Sequence, residues 1–143
     1  MNQKRNLSRP QRGFTLIEVM VVVLILGLLA AYIVPKVAGR ADDARITKAK
    51  QDIRILESAL QMYKMDNFSY PSTDQGLEAL VTRPAGDPEP KNWREGGYIK
   101  RLSLDPWGEP YKYLNPGIHG EIDIYSTGPD LQSDEDDIGN WNL

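Results

Sequence analysis

The sequence predicts an α+β protein: a long N-terminal α-helix, partly transmembrane, packed on a small antiparallel β-sheet. Three observations predict it. Residues 14–34 form an apolar run of 21 residues carrying one charge, Glu18. Beyond Pro35, Ile46, Ala49, Ile53, Leu56, Leu60 and Tyr63 recur at steps of three and four, the spacing of one helix face. The last third consists of short β-prone stretches separated by turn residues.

Bulk properties narrow the function classes. A chain of 143 residues allows one compact domain plus an appendage. The formal charge is −3, and no long Lys/Arg stretch lies outside the extreme N-terminus, so there is no nucleic-acid footprint. With no cysteine, neither a disulfide framework nor thiolate chemistry is available, and stability must come from packing or a bound ion. The single histidine, His119, lies in a Gly-rich turn (116–120) with no second imidazole to share a metal, and reads as an exposed turn residue. There is no Gly-Lys-Ser/Thr nucleotide loop and no triad context, so the chain reads as a non-enzyme.

The first element is a targeting segment. Lys4, Arg5, Arg9 and Arg12 stand in residues 1–13 without an acid, a flank that stays cytoplasmic and sends the rest of the chain outward. The 21 apolar residues behind it cover about 30 Å as a helix, the thickness of a bilayer's hydrocarbon core. An ordinary secretory signal cleaved near Ala30-Ala31 has a similar outline. Glu18 fits that outline badly. A carboxylate costs roughly 2.5–3.5 kcal/mol at a bilayer centre, less near the interface, and a disposable signal does not need one. It reads better as a partner for a cation.

Pro35 then interrupts the helix as a kink or local break rather than a terminator. A continuous helix from Phe14 to Met65 would measure about 78 Å. Its stripe from Ile46 to Tyr63 is expected to bury against the sheet, while Lys48, Lys50, Asp52, Arg54, Glu57 and Lys64 fill the other faces. Ser72, followed three residues later by Gln75 and then by Leu77, Leu80 and Val81, predicts a capped short helix. Prolines 84, 88 and 90 with glycines 86, 96 and 97 make residues 83–97 a loop. Strands are expected at Tyr98–Leu102, Tyr111–Leu114 and Ile122–Ser126. Asp105-Pro106-Trp107-Gly108 has the residues of a type I turn.

Gly13-Phe14-Thr15-Leu16-Ile17-Glu18, after a short basic leader and before an apolar run, resembles the processing motif of type IV pilins and pseudopilins. The resemblance implies a prepilin peptidase cut between Gly13 and Phe14, with N-methylation of Phe14. It makes residues 1–13 a cleaved leader, 14–34 a transmembrane and polymerisation helix, and 35–143 a periplasmic domain. Cleavage exposes an ammonium on Phe14 that a neighbouring subunit's Glu18 can neutralise in low dielectric. Losing the four leader cations takes the formal side-chain charge from −3 to −7.

The C-terminal half narrows the resemblance. Asp105-Pro106-Trp107-Gly108 with Pro110-Tyr111, then Asp123-Ile124-Tyr125-Ser126-Thr127-Gly128, and the ending Asp137-Ile138-Gly139-Asn140-Trp141, look like the major pseudopilins of type II secretion. Membership would imply a homo-oligomeric helical filament in a type IV pilin-like fold. Its partners would be minor pseudopilins, an inner-membrane assembly platform and that platform's cytoplasmic ATPase. Two other classes stay open. A type IV pilus fibre shares everything up to Met65, but commonly closes its C-terminal region with a disulfide that this chain cannot form. A secreted, signal-cleaved calcium-binding domain would not begin at Phe14.

Five carboxylates, from Asp130, Asp134, Glu135, Asp136 and Asp137, lie within eight residues. On composition they read either as a solvated acidic tail or as an oxygen-rich cation site. The EF-hand pattern does not apply, because its sixth place holds Glu135 rather than Gly and its twelfth Trp141 rather than Glu. Similarity to the major pseudopilins implies a C-terminal calcium-binding loop. Side-chain oxygens would come from Asp130, Asp136 and Asp137, and backbone carbonyls from Thr127 and from Leu131, Gln132 and Ser133.

Overall fold

A computed structural model describes residues 13–130 and 136–143, with the backbone alone at 34–38. The chain divides into two compact units at the boundary between Arg40 and Ala41. One helix, α1 (Leu16–Asn67, 52 residues), contributes to both.

In the first unit α1 starts at a capping box. The backbone N–H of Glu18 donates to Thr15 Oγ1 and that of Thr15 to Glu18 Oε2, each at 3.3 Å, satisfying two N-terminal donors that have no partner within the helix. The span Leu16–Ile33 is apolar and long enough to cross a membrane, and none of it is buried among the described residues. Helical backbone continues through Pro35, which does not terminate the helix, as expected, and does not break it either, although proline offers no N–H to the carbonyl four residues back.

In the second unit the amphipathic stripe is the core. Ala49, Ile53, Leu56, Leu60 and Tyr63 are buried, joined by Ala59. Ile46 departs from expectation: it is 38% exposed, one turn before the stripe meets the rest of the domain. Opposite the stripe stand Tyr111, Tyr113, Ile122, Ile124 and Ile138. The sheet is antiparallel in the order β1 (Lys112–Leu114), β2 (Asp123–Ser126), β3 (Ile138–Gly139). Tyr113 pairs with Ile124, and Ser126 with Ile138.

β1 and β2 fall where the sequence places strands, each a residue shorter at its start. Tyr98–Leu102 is not a strand. The N–H groups of Tyr98 and Ile99 both donate to the Leu80 carbonyl, at 2.7 and 3.2 Å, so the segment docks on one point instead of running along a ladder. The Tyr98 ring meets Tyr63 and Trp93, with centroids 5.3 and 6.3 Å away. β3 has no counterpart among the expected strands, since two residues carry no periodicity. Ser72 and Gln75 do exchange the hydrogen bonds of a capping box, at 3.0 and 3.2 Å, but the chain then enters an irregular turn and a 3-10 segment, Leu77–Leu80, rather than an α-helix. The turn at Asp105–Gly108 forms as expected, with the Gly108 N–H on the Asp105 carbonyl at 3.1 Å.

Candidate functional site

Two regions hold the residues singled out by the sequence. At the N-terminus, Gly13 and Phe14 precede the helix in irregular backbone, and the Phe14 side chain is 86% exposed. Residues 1–12 lie outside the described residues, so of the expected leader only Gly13 is placed. Glu18, expected as a counter-charge, is engaged with Thr15 in the capping box. Sequence reasoning missed that second role, although the Thr-x-x-Glu spacing at residues 15–18 is the same signal read at Ser72.

The second region is the connection between β2 and β3, residues 127–137. Pairing of Ser126 with Ile138 brings the two ends of this loop side by side. Its trailing end is anchored by asparagines. Asn140 accepts the Ile124 N–H at 3.1 Å and donates to the Ile122 carbonyl at 3.0 Å. Asn142 accepts from Gly139 N and donates to the Asp137 carbonyl, both at 2.9 Å. Gly139 leaves room for Trp141, whose ring atoms would stand 2.3–2.5 Å from a Cβ there. The indole stacks on His119 with centroids 3.9 Å apart.

His119 is exposed, as expected, but it has partners: its Nδ1 lies 3.0 Å from Asp123 Oδ2. Burial alone would raise the Asp123 carboxyl. The backbone N–H groups of His119 and Ile118 and the imidazole outweigh it and hold that carboxyl below its ordinary value.

Of the expected ion ligands, Asp130 is exposed, and Thr127, Asp136 and Asp137 are partly buried. Leu131, Gln132 and Ser133, with Asp134 and Glu135, lie outside the described residues. Among the described residues no three His, Cys, Asp or Glu side chains converge as a metal cluster. What the loop does hold is an orphaned oxygen. Asp136 Oδ1 is buried without a hydrogen-bond partner among the described residues. An acceptor-only carboxylate oxygen left so fits a hard cation.

The comparisons with known proteins decide the family. A model described as type II secretion system (T2SS), protein G, matches residues 36–141. The chain belongs to the type II secretion system protein G family. A second model, the prokaryotic N-terminal methylation motif, matches residues 8–34 and so spans Gly13, Phe14 and Glu18. The chain is 60% identical to the type II secretion system core protein G of Pseudomonas aeruginosa, over 94% of this chain and 97% of that protein. It is 58% identical to the Vibrio cholerae core protein G, over 94% of each. In structure, the domain is similar to the major pseudopilin from the type 2 secretion system of enterohaemorrhagic Escherichia coli. The TM-score is 0.69 at 53% identity, covering 74% of this chain and 94% of that one.

Proposed function

We propose that the chain is the major structural subunit of a type II secretion pseudopilus, anchored in the bacterial inner membrane with its C-terminal domain in the periplasm. The observation that carries the reading is the pairing of a protein G family domain with a helix whose apolar surface, Leu16–Ile33, is covered by none of the described residues. Such a surface needs lipid or other helices around it. The subunit is inserted as a precursor, cut by a prepilin peptidase between Gly13 and Phe14, and methylated on Phe14. It then passes from bilayer to filament, where helices bundle and the growing fibre drives folded proteins across the outer membrane. Glu18 neutralises the incoming subunit's Phe14 ammonium. It can do so by releasing Thr15, a capping bond worth on the order of 1 kcal/mol.

On this reading the chain is a scaffold rather than an enzyme. The energy for assembly comes from a cytoplasmic ATPase acting through the membrane platform, and minor pseudopilins complete the filament. Calcium is its ligand, held by the side chains of Asp130, Asp136 and Asp137 with the Thr127 carbonyl and carbonyls of residues 131–133. The orphaned Asp136 oxygen supports this. The ion would tie down the β2–β3 loop in a domain without disulfides.

The test of the assembly reading is Glu18→Lys in secreting cells. It should be inserted and processed, yet yield no filament and no export. Wild-type filament yield from that variant would overturn the pairing.

A further inference from the structure

We propose that Asp105, acting through Ser126, is the positioning residue of the C-terminal cation loop, an inference that rests on the calcium reading above. Asp105 belongs to a turn well before the loop in sequence, and its residue is only 5% exposed. One of its oxygens is enough for that turn: Oδ1 accepts the N–H of Trp107 at 3.0 Å and of Glu109 at 2.8 Å. The other leaves the turn. Oδ2 accepts the hydroxyl of Ser126, the last residue of β2, which is fully buried. Ser126 Oγ in turn accepts the Gly128 N–H at 3.2 Å.

Carboxylate, hydroxyl and amide thus form one directed chain ending on the loop's first turn. The Thr127 peptide is held between its two anchored neighbours. Gly128 sits at φ +67°, and a Cβ there would stand 2.8 Å from Asp136 Oδ2 and 3.0 Å from the Asp136 carbonyl oxygen. Where Gly128 is placed therefore decides where the Asp136 carboxylate, which carries the orphaned Oδ1, can sit. An Asp105 that served only its own turn would not need Oδ2 aimed at β2.

Calorimetric titration of the full chain in detergent micelles with calcium chloride, alongside melting in chelator, tests this. Asp105→Asn keeps an acceptor for the turn but offers Ser126 a donor, so the hydroxyl, already accepting from Gly128, loses its acceptor. Ser126→Ala removes the link with a smaller change of volume. Both should weaken the calcium Kd by about tenfold or more, the range found when groups supporting metal ligands are removed. Asn67→Ala deletes a buried polar group elsewhere, one that bonds the Tyr63 carbonyl, the Tyr98 hydroxyl and the Asn92 N–H. It should melt lower in chelator and keep the wild-type Kd. If Asp105→Asn and Ser126→Ala also melt lower with unchanged Kd, the chain of bonds is structural only and the proposal is overturned. If the wild-type chain takes up no calcium, the ion reading itself fails.

Discussion

Gly128 shows how much a single residue is asked to do. Its positive φ and its contact with Asp136 leave no place for a methyl group. Gly128→Ala should therefore abolish the rise in melting temperature that calcium gives, while the domain still melts cooperatively in chelator; an unchanged calcium response would show that the loop adapts. Phe68 is the opposite case. It follows α1 at φ +67° and is 75% exposed, a left-handed position that costs a bulky residue about 1–2 kcal/mol and suits Asn. Phe68→Asn should raise stability by up to about 1 kcal/mol in denaturant melts, and a loss would mean that the ring packs usefully. Asp123 sets an acid limit. Its folded carboxyl titrates below its ordinary value of 3.8, so its contribution is complete above that value and is lost as pH falls through the folded one. Urea midpoints measured downward from pH 5 should fall below about pH 4, and Asp123→Asn should flatten that part of the curve.

Among the elements, the second half of α1 was the most legible, because five of the six stripe residues named from spacing alone are buried. Leu60, fully buried between helix and sheet, should cost about 2–5 kcal/mol when cut back to Ala, measured by chemical unfolding. A polar bond fastens the same helix to the residue before β1: the Tyr111 hydroxyl donates to Asp52 Oδ2 at 2.9 Å, and Lys48, one turn back on the helix, pairs with that same oxygen. Burial first, and then the Asp52 carboxylate, push the Tyr111 phenol well above its ordinary value, so it remains a donor at any physiological pH. The β elements were harder to read. Tyr98–Leu102 has strand composition, yet its aromatic side chain and amides are taken up by Tyr63, Trp93 and Leu80. β3 owes its existence to a register with β2 that no local pattern encodes. In the candidate sites, the Glu18 motif and the acidic loop were visible as residue types. The supports of that loop, Asp105 and Ser126, lie far apart in sequence, and only folding brings them together.

For the whole molecule, the processing proposed above is the decisive event to test. Replacing Gly13 with a bulky residue should leave full-length precursor in the membrane, and mass spectrometry of the wild-type N-terminus should find methylated Phe14. A mature chain starting near Ala31 would instead mark an ordinary signal peptide. The uncovered flank of α1 from Leu16 to Ile33 also bears on how a filament grows. Acyl tails and neighbouring helices are about equally apolar, so a subunit that leaves one for the other gains little from the hydrophobic effect. Growth, on the reading proposed above, is then an exchange fed by a two-dimensional solution and driven by the ATPase rather than by burial. The supply term is the number of subunits per unit area of membrane, and filaments should shorten when that surface density is diluted, even with every subunit correctly folded.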